Sequence, residues 1–312
     1  MRKTLLIICA CVAIFGGCDR SKFESEIPVK VETVKFNVEN YQFVGEEPEE
    51  SLTTKTTIIN EVEFAWAAND TVGIYPNIGS QVYFAMTEGA GAKSAEFDGG
   101  GWDFKPMSVY YSYYPFIGDI YLDKTNIPTS YSGQKQVGTT GIDHIGSYDH
   151  MYTPGTSAES SMLNFSYKHL NCIIRPNVTL PAGTYTKLAI TAPSKVFALN
   201  GHYDLTAETP TIIGRDYTDQ LTIDLENVVL TEQTTFKIYL VSAPVNLKGV
   251  EITVSVLDSQ KKEYQCKKTP SAEYSAGKIG GLTCSSFTEV PQSMGLIINN
   301  WEDGGNISGG TE

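Results

Sequence analysis

The apolar and polar residues of this chain alternate with a period of two over many short segments. These segments are rich in Val, Ile, Thr, Tyr and Phe, and turn-forming residues interrupt them at short intervals. No segment sustains the apolar stripe of an amphipathic helix. The pattern indicates an all-β chain, a sandwich or a barrel. It predicts strands at 29–38, 71–75, 82–86, 108–114, 162–167, 172–178, 187–191, 220–225, 235–240, 250–257 and 262–268.

A stretch rich in Pro, Gly and hydroxyl residues, 152–161, separates two strand-rich halves. The chain of 312 residues also exceeds the usual size of one domain. We therefore expect an N-terminal β-domain at 29–160 and a C-terminal β-domain at 161–312.

The start of the chain has the form of a secretory signal: two basic residues, a short apolar run and small residues before a cysteine. The apolar run is too short to span a bilayer as a permanent helix. Gly16 and Gly17 before Cys18 resemble the lipobox of bacterial lipoproteins, in which the cysteine is acylated and becomes the mature start. We expect a signal peptide at 1–17, lipid on Cys18 and a polar tether at 18–28. The alternative is an ordinary signal peptide with an incidental cysteine.

The chain is acidic, with a formal net charge of -13, and loss of Arg2 and Lys3 with the signal peptide would bring this to about -15. Such a surface repels nucleic acid and anionic lipid headgroups. We therefore expect no nucleic-acid partner, and membrane attachment only through the acyl chains on Cys18.

Outside the signal the cysteines are Cys18, Cys172, Cys266 and Cys284, and their spacing matches no metal motif. Cys172 lies in an apolar run and is expected to be a small buried residue. Cys266 and Cys284 could form a disulfide between neighbouring strands in an oxidising compartment, or remain free thiols.

Sequence motifs of metalloproteases, serine hydrolases and nucleotide-binding enzymes are missing from the chain. We expect no catalysis, no cofactor and no metal. Two Asp-His pairs, Asp143-His144 and Asp149-His150, could share a divalent ion, but a polar loop is the favoured interpretation. His169 ends a predicted strand, where a structural histidine at a domain junction is favoured over a catalytic base.

An aromatic cluster, residues 110–116, offers an alternative function, because tyrosine rings stack on sugar faces. Alternation places Tyr111 and Tyr113 on one face of the strand and Tyr110 and Tyr114 on the other, so at least one pair belongs to the core. The alternative is thus a monomeric surface lipoprotein that binds glycans through this strand or an adjoining loop.

Several local patterns, taken in order, resemble the fimbrillin family of Bacteroidetes, the Mfa-like lipoprotein precursors and accessory subunits of type V pili. After the lipobox come Val34-Lys-Phe36, Trp66-Ala-Ala-Asn-Asp70-Thr-Val-Gly73-Ile-Tyr75, Tyr-Tyr-Pro115-Phe116, Ile127-Pro-Thr-Ser-Tyr-Ser-Gly-Gln134-Lys-Gln136, Tyr148-Asp149-His-Met151 and Leu163-Asn-Phe165-Ser-Tyr-Lys-His169-Leu170.

The resemblance implies two tandem transthyretin-like Greek-key β-sandwich domains and no catalysis. It implies a surface-exposed outer-membrane lipoprotein of the fimbrium, acting in adhesion as a subunit, anchor or tip. Its partners would be other fimbrial subunits and a host or bacterial surface ligand. In this family a protease removes the first strand after an arginine, and the groove so opened accepts a strand from a neighbouring subunit.

The chain departs from the family at the processing site, where Thr53-Thr54 is followed by Lys55 instead of arginine. Lysine and arginine are not interchangeable in a pocket that binds a guanidinium through two hydrogen bonds. This favours an anchor, tip or accessory subunit that keeps its lipid, with cleavage after Lys55 left open.

The apolar segment 294–301 near the C-terminus is the best candidate for a donor strand, and the alternative is that it forms the last strand of the second sandwich. Its donor residues would be Leu296, Ile297, Ile298 and Trp301.

Overall fold

A computed structural model of the chain describes residues 31, 33–46, 64–119, 121–157 and 162–291. These residues form β-strands and one short helix, α1 (Ile145–Tyr148), so the predicted all-β fold is confirmed. Each of the eleven predicted segments contains a strand. Within the described part of the chain, no helix has the length and apolar character needed to cross a membrane.

The strands are, in chain order, β1 (Thr33–Val38), β2 (Gln42–Gly45), β3 (Thr71–Pro76), β4 (Val82–Glu88), β5 (Ser94–Asp98), β6 (Val109–Tyr114), β7 (Ile127–Ser130), β8 (Lys135–Val137), β9 (Met151–Ser157), β10 (Met162–His169), β11 (Cys172–Leu180), β12 (Gly183–Thr191), β13 (Phe197–Tyr203), β14 (Ile213–Thr218), β15 (Gln220–Leu230), β16 (Thr234–Lys237), β17 (Leu240–Ser242), β18 (Ile252–Asp258), β19 (Glu263–Lys268), β20 (Lys278–Cys284) and β21 (Thr288–Glu289).

The N-terminal strands form a closed sheet in the order β1-β10-β9-β6-β3-β4-β5. The closure depends on β1, which runs parallel to β10 and antiparallel to β5. At the centre of β1, Phe36 lies opposite Phe165 on one side and Ala95 on the other. The first strand therefore fills the gap between two strands that would otherwise be edges.

Phe36 packs at the centre of an aromatic core inside the closed sheet. Its side chain is fully buried, and its ring centroid lies 4.6 Å from that of Phe97 and 5.2 Å from that of Phe165. The indole Nε1 of Trp66 donates a 3.2 Å hydrogen bond to the Phe36 carbonyl oxygen. Phe36 and Val38 are both buried and are two residues apart, so they face inward as the period-two pattern of the sequence predicts.

The C-terminal strands form two facing sheets around a second core. One has the order β16-β11-β20-β2, with β17 also paired to β11, and the other has the order β21-β19-β18-β12-β15-β8. Buried residues from both sheets form one apolar cluster, including Ile174, Leu188, Val254 and Leu282. The outer strand β2 runs parallel to β20.

The sheets cross the domain boundary that the sequence suggests near residue 160. β10 pairs with β9 and completes the closed sheet, although it follows the boundary. β7 and β8 precede the boundary but pair with β13 and β15. Pro154 and Gly155 of this stretch lie within the strand β9, and β9 pairs with β10. The division into two tandem domains remains a prediction.

Truncation of Phe36 tests how strongly β1 is held in the closed sheet. Phe36→Ala is expected to lower the free energy of unfolding by about 3–5 kcal/mol, because it leaves a cavity among aromatic rings. Lys35→Ala removes an exposed neighbour on the same strand and should change it by less than about 0.5 kcal/mol. Urea denaturation followed by tryptophan fluorescence measures both values, and equal effects would contradict this account of the core.

Candidate functional site

One short stretch, residues 33–46, contributes strands to both parts of the molecule, and we call it the N-terminal segment. Its β1 lies in the closed sheet and its β2 lies at the edge of the five-stranded sheet. Residues 39–41 cross from one sheet to the other. The contacts of this segment define the candidate site.

A buried carboxylate, Asp149, binds the crossing residues. Its Oδ1 accepts hydrogen bonds of 2.7 Å from the hydroxyl of Tyr41 and 2.7 Å from the side-chain amide of Asn171. The Nδ1 of His169 lies 3.0 Å from Oδ1 and 2.9 Å from Oδ2. Asp149 is fully buried, and a buried polar group is stable only where the protein supplies hydrogen-bond partners such as these.

His169 connects this carboxylate to the backbone of the N-terminal segment. Its Nε2 lies 2.7 Å from the carbonyl oxygen of Glu39, and its ring stacks on that of Tyr41 with centroids 3.8 Å apart. Both ring nitrogens of His169 therefore lie within hydrogen-bond distance of an oxygen atom, one of Asp149 and one of Glu39. Burial and the neighbouring Asp149 raise the pKa of Tyr41, so its hydroxyl stays a donor.

The second half of the segment is held against β20 by side-chain contacts. The guanidinium of Arg175 lies over the ring of Phe43, 4.4 Å from its centroid. Glu46 Oε2 accepts a 2.9 Å hydrogen bond from the backbone N–H of Thr283 and lies 3.5 Å from Lys268 Nζ. A Cβ at Gly281 would clash with the Glu46 carbonyl and the Phe43 ring, so only glycine there allows β2 to approach this closely.

A cleft of about 410 Å³ lies beside the crossing residues. Its lining includes Glu39, Asn40 and Gln42 of the segment together with Lys168 and Lys278. The middle of the segment therefore borders solvent, although Tyr41 is buried between these exposed residues.

Most of the site residues named from sequence lie outside the described residues. These are Cys18, Lys55, Leu296, Ile297, Ile298 and Trp301, together with the signal peptide and the tether. Cys266 and Cys284 are described: both are buried free thiols in the same apolar cluster. Their pairing as a disulfide remains a prediction.

The structure separates the two Asp-His pairs. Asp143 is exposed, and His144 Nε2 lies 2.8 Å from the Tyr239 carbonyl oxygen, whereas Asp149 and His150 face the interior beyond α1. Among the described residues, no three His, Cys, Asp or Glu side chains are grouped so that they could hold a metal ion. His169 lies at the end of β10 and contacts Asp149, Glu39 and Tyr41, and the sequence did not predict that Tyr41 and Asn171 join this cluster.

The aromatic cluster does not offer an exposed platform for sugars. Tyr110, Tyr113 and Tyr114 are buried. Tyr111 is half-buried, with Lys124 Nζ 5.4 Å from its ring centroid. Both faces of this strand are therefore covered, because a second apolar cluster packs on the outside of the closed sheet.

No protein-family model matches the chain, and no curated protein sequence matches it either. Solved structures do match. A protein from Bacteroides uniformis ATCC 8492, provisionally assigned to cell adhesion, aligns with a TM-score of 0.50 and 13% identity over 72% of this chain and 92% of its own. The chain has the fold of this protein.

Two further matches have lower scores. A provisionally assigned cell adhesion protein from Bacteroides ovatus ATCC 8483 aligns with a TM-score of 0.49 and 14% identity over 84% of this chain and 95% of its own. The tip fimbrial protein Mfa3 of Porphyromonas gingivalis aligns with a TM-score of 0.37 and 8% identity over 72% and 93%. The sequence motifs of the chain resemble the fimbrillin family, and its fold matches that of the Bacteroides uniformis protein.

Removal of one hydroxyl tests the contact between the segment and the buried carboxylate. Tyr41→Phe keeps the stacked ring and removes one hydrogen bond to Asp149, so it is expected to lower the free energy of unfolding by about 1.5–3 kcal/mol. Amide exchange of β2 should accelerate more than that of β12, which is remote from the contact. Tyr217→Phe, at an exposed tyrosine, is the matched control. Equal exchange in Tyr41→Phe and this control would contradict the assigned role.

The buried ring of His150 predicts a dependence of stability on pH. Burial lowers its pKa from 6.5 to about 4, so the unfolded chain takes up a proton in this range before the folded chain does. Stability should therefore fall as the pH drops from 6.5 towards 4, by about 1.4 kcal/mol per pH unit from this group. Urea denaturation of the wild type and of His150→Asn across this range should show a flatter profile for the variant; parallel profiles would rule the assignment out.

Proposed function

We propose that the protein is a non-enzymatic subunit of a type V pilus at the cell surface, a fimbrillin that joins its neighbours by β-strand exchange. The position of β1 carries this proposal, because β1 pairs with β10 on one side and β5 on the other. Without β1, both strands would present unpaired backbone donors and acceptors to an incoming strand.

The N-terminal segment can leave as one piece. β1 and β2 follow each other directly, and residues 47–63, which include Lys55, connect them to the rest of the chain. A cut after Lys55 would release both strands together. It would open the groove between β5 and β10 and expose the edge of β20.

The segment at 294–301 has the pattern of a strand that could enter this groove. Leu296 and Ile298 are two residues apart and would face the same side of a strand, as the buried Phe36 and Val38 do in β1. A donor from a neighbouring subunit would thus replace the backbone hydrogen bonds of β1 and refill part of its core.

The lipid on Cys18 would hold the precursor at the outer membrane, exposed to the exterior. A subunit that keeps its N-terminal segment would be an anchor or tip, and one that loses it after Lys55 would enter the shaft. The polymer would serve adhesion to a host or bacterial surface ligand.

Controlled cleavage tests the proposal. The full chain is treated with a lysine-specific protease, the new N-terminus is sequenced, and the products are examined by light scattering and electron microscopy. We expect a start at Thr56, loss of the N-terminal segment and growth of polymers. Lys55→Gln should resist the cut at this position and remain monomeric.

A deletion of residues 292–312 identifies the donor. After cleavage this variant should stay monomeric, yet bind a synthetic peptide of residues 292–302. Monomers from the cleaved wild type after the segment has left would contradict strand exchange. Polymers from the cleaved deletion variant would exclude 294–301 as the donor.

A further inference from the structure

The N-terminal segment bridges the two C-terminal sheets through a single carboxylate. Glu46 Oε2 binds the backbone N–H of Thr283 in β20 and lies 3.5 Å from Nζ of Lys268 in β19. β19 belongs to the six-stranded sheet and β20 to the five-stranded sheet. Glu46 therefore links strands of opposite sheets, and this link is lost whenever the segment leaves.

A pair of thiols lies between the same two strands. Cys266 in β19 is 6% exposed, Cys284 at the end of β20 is fully buried, and both side chains belong to the same buried apolar cluster. Both cysteines are close in sequence to a residue that contacts Glu46. Lys268 is two residues after Cys266, and Thr283 is the residue before Cys284. Cys172, the third described cysteine, lies elsewhere and donates hydrogen bonds to the carbonyl oxygens of Ser242 and Ala243.

We propose that Cys266 and Cys284 form a disulfide that keeps β19 against β20 when the Glu46 bridge departs. The crosslink would hold the edge of β20 in place for an incoming strand. This inference rests on the proposed function in two respects: an oxidising compartment outside the cytoplasm, and departure of the N-terminal segment.

The bond forms by thiol–disulfide exchange with a protein disulfide of the cell envelope. The thiolate of Cys266 attacks one sulfur of that oxidant and forms a mixed disulfide. The thiolate of Cys284 then attacks Sγ of Cys266, and the oxidant leaves as a dithiol. Two electrons and the two thiol protons pass to the oxidant, so the exchange is balanced. The neighbouring Cys284 side chain lowers the pKa of Cys266, which favours Cys266 as the attacking thiolate.

Peptide mapping without reduction tests the bond in the full chain isolated from membranes. The protein is denatured in an alkylating agent, digested and analysed by mass spectrometry. We expect a linked peptide pair containing Cys266 and Cys284, and alkylation of Cys172. If both cysteines are alkylated separately, the proposal is overturned. The purified chain is then incubated with oxidised glutathione to find the reason. If the disulfide forms there, the native compartment was not oxidising; if it does not form, the two thiols are not placed to bond.

A thermal cycle tests the role of the bond. Reduction should lower the Tm of the wild type by a few degrees and that of Glu46→Ala by roughly 5–10 °C, because the variant lacks the second link between the strands. Glu251→Ala is the control, since it removes an exposed ion pair with Lys267 on the same strand. Equal shifts in Tm on reduction in Glu46→Ala and Glu251→Ala would overturn the proposed role of the disulfide. Because reduction breaks the disulfide in the intact chain, the test needs no variant that lacks both cysteines.

Discussion

The backbone hydrogen bonds of one strand, β1, decide the form of the N-terminal half. β10 and β5 are separated by about 65 residues in sequence and lie at the two ends of the strand order β10-β9-β6-β3-β4-β5, and β1 pairs with both ends and closes the sheet. A strand inserted in this way satisfies two rows of backbone groups that would otherwise be exposed edges. The closed sheet is therefore complete only while the N-terminal segment is in place.

The same segment is held by three different kinds of interaction. Phe36 contributes apolar burial, the Asp149 cluster contributes charge and directed hydrogen bonds, and Glu46 contributes a polar bridge at the far end. Asp149 is fully buried, and a buried polar group that loses its hydrogen-bond partners is destabilising. In the observed register Tyr41 donates a hydrogen bond to this carboxylate, and His169 lies 2.7 Å from the Glu39 carbonyl oxygen.

The strands that alternate clearly were predictable from sequence, and β1 with Phe36 and Val38 is an example. The Asp149 cluster was not, since Tyr41 lies 108 residues from Asp149 and no local pattern signals such a partner. The sequence did not predict β20, because Gly280 and Gly281 weaken the strand pattern. Gly280 makes room for the Tyr274 ring, and Gly281 makes room for β2. The stretch near residue 160 shows that composition does not tell which strands pair, since Pro154 and Gly155 lie within β9 and β9 pairs with β10.

Identification of the strand between β5 and β10 in a native surface polymer tests the central claim most directly. A cryo-electron microscopy map at side-chain resolution would show whose residues fill this position. The account predicts that the strand belongs to a neighbouring subunit, with apolar side chains in the places of Phe36 and Val38. Finding Phe36 and Val38 of the same chain there, in subunits joined into a fibre, would contradict strand exchange.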